Sequence, residues 1–279
     1  RLPGEDRALA RGLRGAVRAR TCVSLAAQVL HLARRSVVRT MRQPANWITP
    51  MIFPLALMAV NTGGLDAATS IPGFPSDSFL AFFLAFPFIQ GALFATVNAG
   101  VDLARDIQTG FLNRLSLTPM RGAALLVGHL GGVIAMGFVQ ALWYLAVGLA
   151  VGVRIQSGLL GALVVLLLSV LIVLAFGSFG ALAALTAGST EAVHSLFPVF
   201  FVFLFLSSMN LPRNLIETRW FQIAASVNPV SYLIEAIRSL VILGWDGQAL
   251  ALGFAISAGL AIVGLSLSSL ALRERMART

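Results

Sequence analysis

Long apolar stretches separated by short polar segments dominate this chain. A helix needs about 20 apolar residues to cross roughly 30 Å of hydrocarbon, and six stretches reach or approach that length. They lie at residues 46–64, 79–101, 123–151, 158–186, 193–211 and 249–271. The pattern therefore predicts an all-α, polytopic membrane protein with six transmembrane helices.

The segment before the first span, residues 21–42, has a helical rather than a uniform pattern. Polar side chains recur every three or four residues, at Ser24, Gln28, His31, Arg35, Arg39 and Arg42, and apolar side chains occupy the opposite face. This spacing predicts an amphipathic helix in the membrane interface, which Pro44 should end. Such a helix either anchors the chain to the membrane surface or docks a partner protein. Residues 1–45 thus form an N-terminal region ahead of a transmembrane domain, 46–279.

Two short apolar pieces lie between the fifth and sixth spans, within residues 212–248. Asn228 and Pro229 separate them, and neither piece is long enough to cross a membrane. Short helices at this position predict a re-entrant hairpin whose backbone is buried by protein. Glu235 and Arg238 are three residues apart, so they either pair with each other on one helix face or simply make the segment more soluble.

The distribution of arginine predicts the orientation of the spans. All twenty basic residues are arginine, and sixteen of them fall in residues 1–42, in the 102–122 loop or in the tail after residue 271. Four fall on the other side, at Arg154, Arg213, Arg219 and Arg238. Because positive charge favours the cytoplasmic side, both termini and the 102–122 loop are expected in the cytoplasm, and residues 212–248 outside it.

Composition narrows the class of protein further. The chain of 279 residues is 58% hydrophobic and 11% charged, which suits a bilayer rather than water. Its net charge of +9 is explained by lipid headgroups and orientation, so no nucleic-acid partner is expected. Cys22 is the only cysteine, which leaves no internal disulfide and no thiolate metal site. About forty residues precede the first span, so we expect no cleaved signal peptide.

Catalytic motifs are missing from the sequence. A chain without lysine has no P-loop, and its three histidines lack the spacing of a metal or catalytic set. The middles of the six spans carry no charged residue, although ion-coupled transporters usually need one there. We therefore predict no catalytic residue, no metal and no cofactor bound by this chain.

The fifth span offers a candidate route for an amphiphilic substrate. Its aromatic residues approximate one helical face, a polar group follows them, and one amide lies in the middle of the second span. The candidate path residues are Phe197, Phe200, Phe201, Phe205, Ser208 and Gln90. The alternative is that these phenylalanines face lipid or pack between helices.

The 102–122 loop has the composition of a force-transmitting element. It begins with acidic residues, is interrupted by Gly110, continues as a short helix-forming piece and stops at Pro119. A short charged helix held between two spans is suited to transmit movement from a soluble motor. The alternative is an ordinary solvated loop.

Two separated motifs resemble a known family. The run from Asp106 to Arg121, Asp-Ile-Gln-Thr-Gly-Phe-Leu-Asn-Arg followed by Thr-Pro-Met-Arg, is similar to the loop between the second and third spans of type-2 ABC exporter permeases. The run from Asn228 to Leu240, Asn-Pro-Val-Ser-Tyr-Leu-Ile-Glu-Ala-Ile-Arg-Ser-Leu, resembles the signature that precedes their last span. Together with the span pattern, the motifs are most similar to the daunorubicin/doxorubicin-resistance permease subgroup.

The resemblance implies a permease that pairs with a second copy or a paralogue and with two ATP-binding cassette subunits, which bind ATP and Mg. It places the ATPase-coupling contacts on the amphipathic helix and the 102–122 loop, at Arg35, Arg39, Asp106, Gly110, Phe111, Arg114, Pro119 and Arg121. Asn113 departs from the acidic residue that many members carry there. The outer signature is Asn228, Pro229, Glu235 and Arg238.

The function expected from the resemblance is export of an amphiphilic drug or lipid-like substrate across a bacterial plasma membrane, driven by ATP on the partner subunit. A lipid-linked glycan or glycolipid is an alternative cargo. An ion-coupled secondary transporter, and a membrane enzyme or scaffold, are the alternatives from other classes.

Overall fold

The computed structural model describes residues 25–111, 114 and 122–277. Every regular element among these residues is helical. The helices are α1 (Leu25–Met41), α2 (Pro44–Leu65), α3 (Phe79–Phe83), α4 (Ala85–Gln108), α5 (Gly122–Ala150), α6 (Gly158–Ala187), α7 (Thr190–His194), α8 (Leu196–Phe205), α9 (Arg219–Val227), α10 (Pro229–Arg238) and α11 (Gly247–Ala277). Two 3-10 turns, Asp66–Ser70 and Arg213–Leu215, and a π-helical turn, Ser239–Leu243, complete them.

Five helices in the described part of the chain are long and apolar enough to cross a membrane. They are α2, α3 together with α4, α5, α6 and α11, so the chain is a multi-pass membrane protein. The predicted span at 193–211 differs, because α7 and α8 form a shorter apolar unit, Thr190–Phe205. By length and composition alone, the described residues give six spans if α9 and the following segment, Pro229–Leu243, are counted as one span despite the 79° bend between them. That bend is also the geometry of a re-entrant hairpin.

Helix α4 lies at the centre of the bundle and packs most extensively on α6. The two backbones approach closely because glycines face each other: a Cβ at Gly180 would lie 2.0 Å from the Thr96 carbonyl oxygen. A Cβ at Gly100 would lie 2.7 Å from the Gly180 carbonyl oxygen. Small residues of this kind are what membrane helices use to pack without a hydrophobic driving force.

Two prolines within α2 leave two backbone carbonyls of that helix without their usual amide donors. Side chains of other helices donate hydrogen bonds to these carbonyls. Pro50 and Pro54 lack the amide hydrogens that would bond to the carbonyls of Asn46 and Pro50, four residues earlier. Asn98 of α4 donates its Nδ2 to the Asn46 carbonyl at 2.9 Å, and the buried Tyr144 hydroxyl of α5 donates to the Pro50 carbonyl. The polar groups of α4 and α5 thus fix α2 against the bundle.

We expect Tyr144→Phe to lower the stability of the folded protein by about 1 to 3 kcal/mol, because the Pro50 carbonyl loses its donor inside the bundle. The measurement is the midpoint of thermal unfolding in detergent. The matched control is Tyr232→Phe, since the half-buried Tyr232 hydroxyl donates to the Ser226 carbonyl nearer to water. Equal midpoints for Tyr144→Phe and the unchanged protein would contradict this role.

Helix α1 packs along α5 rather than standing free at the edge of the bundle. A Cβ added at Gly132 of α5 would lie only 2.3 Å from the Ser36 Cβ of α1. The missing side chain of Gly132 therefore makes room for α1. Leu30 and Met41 of the predicted apolar face are exposed, at 68% and 53%. A helix over most of the predicted 21–42 segment is therefore present, and residues 21–24 lie outside the described part. Its position in the membrane interface stays a prediction.

Candidate functional site

Two arginines of α1 meet two aspartates of α4 at one end of the bundle. Arg35 forms a two-pronged ion pair with the Asp106 carboxylate, with N···O distances of 3.0 and 2.9 Å. Arg39 donates to the same carboxylate at 2.8 Å, and its Nε lies 3.5 Å from the Asp102 carboxylate. We call these four residues the α1–α4 clamp.

The helical register explains why these four side chains meet. Residues four apart lie on the same face of a helix, so α4 presents Asp102 and Asp106 together and α1 presents Arg35 and Arg39 together. The aspartate side chains are only 10% and 13% exposed, whereas those of Arg35 and Arg39 are 41% and 25% exposed, so water screens these charge-assisted hydrogen bonds from the arginine side. The clamp also corrects the predicted loop start at residue 102, because α4 continues to Gln108.

The rest of the predicted coupling motif begins where α4 ends. Gly110 has a left-handed φ of +68°, and its amide donates to the Ile107 carbonyl at 3.0 Å. The Phe111 ring lies under the Arg35 guanidinium at 3.9 Å, a cation–π contact that ties the clamp to this segment. Arg114 is exposed, with its amide bonded to the Gly110 carbonyl. Pro119 and Arg121, like Asn113, lie outside the described residues.

The clamp is packed and holds no ligand-sized space. The cavity beside it measures about 20 Å³, which is enough for little more than one water molecule. His129 of α5 borders it and hydrogen-bonds through Nε2 to the Ala99 carbonyl. Sequence reasoning missed Asp102 and His129 as parts of this site, although the i, i+4 spacing of Asp102 and Asp106 was a usable signal. The arrangement serves to join helices, not to bind a substrate.

A second polar network lies at the opposite end of the bundle, around Glu235 of α10. Arg213 donates Nε to the Glu235 carboxylate at 2.8 Å and Nη2 at 2.5 Å, and Ser208 donates its hydroxyl at 3.0 Å. Burial lowers the pKa of Arg213, but its hydrogen bond to Glu235 and the negative charge outweigh burial, so that the pKa lies above its ordinary value. Glu235 therefore pairs with Arg213 and not with Arg238, which excludes the first of the two alternatives given above for Glu235 and Arg238.

Arg238 is instead turned into the protein, with only 5% of the residue exposed. Its Nε donates to the Phe82 carbonyl at 3.1 Å and its Nη2 to the Met209 carbonyl at 2.9 Å. The guanidinium also lies 3.5 Å from the centre of the Phe82 ring. Arg238 thus ties α10 to α3 and to the segment after α8.

Asn228 and Pro229, the first two residues of the outer signature, form the start of α10. The Asn228 side-chain oxygen accepts the Val230 amide at 2.9 Å, which caps α10, and Pro229 occupies the first helical position. The Asn228 Nδ2 donates to the Phe203 and Leu206 carbonyls at 2.5 and 3.0 Å. One side chain therefore supplies hydrogen-bond partners for backbone groups at the end of α8 and at the start of α10.

Three of the four predicted path phenylalanines share one face of α8. Ring centres of Phe197 and Phe201 are 5.4 Å apart, and those of Phe201 and Phe205 are 5.0 Å apart. The row continues through Phe94 of α4 to Phe53 of α2, at 5.4 and 6.0 Å. We call these five rings the phenylalanine row.

The other predicted path residues lie elsewhere. Phe200 faces Phe176 of α6 at 5.6 Å instead of joining the phenylalanine row, so the single face predicted for all four side chains is wrong. Ser208 is buried in the Glu235 network. Gln90 is fully buried, and both polar atoms of its amide lack a hydrogen-bond partner.

Comparison with known proteins identifies the family. The model of the ABC-2 type transporter family matches residues 27–242, a range that contains the α1–α4 clamp, the phenylalanine row and the Glu235 network. The chain belongs to the ABC-2 type transporter family. ABC-2 permeases are membrane subunits that are not enzymes by themselves, and membership implies an ATP-binding cassette partner in general.

One curated relative of this ABC-2 protein is the "Putative transport permease ycf38" of Porphyra purpurea. The two chains are 27% identical over 212 residues, which cover 74% of this chain and 71% of the relative. These comparisons confirm the predicted permease class at the level of the ABC-2 family. Within the described residues of the ABC-2 protein, no group of three or more His, Cys, Asp or Glu side chains is arranged to hold a metal ion.

Proposed function

We propose that this chain is the permease subunit of a bacterial ATP-driven exporter of the daunorubicin/doxorubicin-resistance type, which moves an amphiphilic drug or lipid-like molecule outward. In this proposal two permeases, identical or paralogous, work with two ATP-binding cassette subunits that bind ATP and Mg. Both termini lie in the cytoplasm of a multi-pass plasma-membrane protein. The α1–α4 clamp then faces the motor and the Glu235 network faces outside.

The α1–α4 clamp is the observation that carries the proposal. A motor that pushes the segment beginning at Gly110 acts on the end of α4, the central and most buried span. Because Asp106 is bonded to both Arg35 and Arg39, α1 moves together with α4. Through the packing of α4 on α6, the same movement reaches the bundle core.

The phenylalanine row supports an amphiphilic cargo. It runs from α2 across α4 to α8, and Phe53 and Phe205 are exposed at 41% and 48%. A row of aromatic rings without a hydrogen-bonding group suits a drug or acyl chain better than a glycan headgroup. Gln90, whose amide has no hydrogen-bond partner within the described residues, is the proposed polar contact of this path, whereas Ser208 is bonded to Glu235.

The test of coupling uses Gly110, whose added Cβ would meet no atom of the described residues within 4 Å. The comparison of two substitutions isolates the backbone conformation, since valine strongly disfavours φ of +68° while asparagine tolerates it. We expect Gly110→Val, assembled with the ATP-binding subunit, to keep ATP hydrolysis but to lower daunorubicin uptake into inverted vesicles about tenfold. The matched control, Gly110→Asn, should retain coupling. Normal uptake with Gly110→Val would reject the role of this segment.

A protonophore separates the exporter from an ion-coupled transporter. In vesicles supplied with ATP, we expect daunorubicin uptake to continue after the proton gradient is collapsed. Uptake that stops while ATP remains would favour ion coupling instead.

A further inference from the structure

A larger cavity lies at the end of the bundle opposite the α1–α4 clamp. Its volume is about 500 Å³, within the range of about 300 to 1,000 Å³ that is usual for small-molecule sites. The walls are the segment 74–81, the turn 151–156 and the π-helical turn at Val241 and Ile242. We call it the outer groove, and none of the functional residues described above lines it.

Two opposite charges line the outer groove without pairing. Arg154 and Asp77 both border the cavity, and neither forms an ion pair within 4.0 Å or a side-chain hydrogen bond with another described residue. Both residues are exposed. A cation and an anion held apart on one cavity complement a molecule that carries both a negative and a positive group.

The position of the outer groove indicates that its ligand also carries an apolar part. Its walls stand where three candidate spans begin or end, at Phe79, Ala150 and Gly158, so we expect the cavity at the boundary between hydrocarbon and headgroups. Leu80 and Ile242 line the same cavity as the two charges. A charged head with an attached acyl chain meets both conditions.

The groove is held in shape by backbone hydrogen bonds. The amides of Gln156 and Ser157 donate to the Val241 and Leu240 carbonyls at 3.1 and 3.2 Å, and the Ser157 hydroxyl donates to the Leu240 carbonyl at 2.7 Å. The turn that carries Arg154 is therefore fixed against the π-helical turn. A site fixed before binding loses less entropy when its ligand arrives.

We propose that the outer groove binds a phospholipid whose headgroup carries a phosphate and a primary ammonium. Arg154 contacts the phosphate, Asp77 accepts hydrogen bonds from the ammonium, and an acyl chain lies against Leu80 and Ile242. The lipid is a bound component of the protein and not its cargo, so the site is independent of the proposed transport function. Because the π-helical turn follows Arg238 directly, the lipid braces the segment that continues from the Glu235 network.

The test is lipid retention by the detergent-solubilised full chain, measured by native mass spectrometry with phosphatidylethanolamine or phosphatidylglycerol added. We expect phosphatidylethanolamine to bind about tenfold more tightly, because only it offers Asp77 a charge-assisted partner. Arg154→Gln should weaken both lipids, whereas Asp77→Asn should remove the preference between them. The matched controls, Arg219→Gln and Glu217→Gln, change exposed charges outside the groove and should alter neither result.

Three results would overturn the proposal. The first is equal retention of the two lipids by the unchanged protein, and the second is unchanged retention in both groove variants. The third is displacement of the lipid by soluble glycerophosphoethanolamine at equal concentration, since that headgroup lacks acyl chains. The assay contains neither ATP nor a transport step, so its outcome does not depend on the proposed function.

Discussion

Replacing Asp106 with alanine is expected to abolish most coupling between ATP hydrolysis and transport. The substitution removes the carboxylate that both Arg35 and Arg39 contact, so Arg35 loses its carboxylate partner and Arg39 keeps only Asp102, which lies 3.5 Å from its Nε. The arginine side chains are 41% and 25% exposed, so the loss of stability should stay below the roughly 3 to 5 kcal/mol that breaking a fully buried pair costs. We expect daunorubicin uptake into inverted vesicles to fall at least about tenfold while hydrolysis by the partner subunit continues.

A double-mutant cycle distinguishes this mechanism from a general loss of stability. Asp106→Asn and Arg39→Gln disturb the same contact, so their combined effect should be smaller than the sum of the single effects. Glu274→Gln is the control, since it removes an exposed acidic charge near the end of α11. Full coupling in Asp106→Ala, or strict additivity in the cycle, would show that the α1–α4 clamp does not transmit movement.

Replacing Arg238 with methionine is expected to give the largest loss of stability at the outer end of the bundle. Methionine fills a similar length but donates no hydrogen bond, so the Phe82 and Met209 carbonyls are left without the donors that Arg238 provides. Each buried unsatisfied group costs about 1 to 3 kcal/mol. Removal of a buried charge offsets part of this cost, and we expect a net loss of about 2 to 4 kcal/mol.

The measurements for Arg238→Met are thermal unfolding in detergent and limited proteolysis of the segment after α8, which Arg238 holds through Met209. Arg238→Lys should be intermediate, because one ammonium cannot reproduce the planar contact with Phe82 and both hydrogen bonds. The control is Arg219→Met, which removes an exposed arginine from α9. If Arg238→Met is as stable as Arg219→Met, the buried arginine does not hold these segments together.

Local sequence rules predicted individual helices well and contacts between helices poorly. Five of the predicted spans are long apolar helices, because apolar length alone decides whether a segment can remain in hydrocarbon. Pro44 separates α1 from α2 as predicted, since proline disfavours a helical residue before it. In contrast, the sequence predicts the end of α4 too early. The charges of Asp102 and Asp106 are typical of a solvated loop as long as their arginine partners are unknown.

The Glu235 and Arg238 pair shows why spacing along a helix is not sufficient. Residues three apart are neighbours on a helix surface, but the contact forms only if no better partner is near. Arg213, twenty-two residues away in sequence, reaches Glu235, and the carbonyls of Phe82 and Met209 take Arg238. The outer motif was recognised from sequence, while its hydrogen bonds were not.

The sequence by itself determined the membrane class, the positions of most helices and two motifs that resemble those of ABC exporter permeases, because these depend on apolar length, proline, glycine and short-range order. Only the tertiary structure decided that Arg35 and Arg39 meet Asp106, that Arg238 is buried, and that Phe200 leaves the phenylalanine row. Those contacts join residues from different helices, in one case 71 positions apart. Their energy depends on which helix faces the packing of the bundle brings together, and no local pattern specifies that.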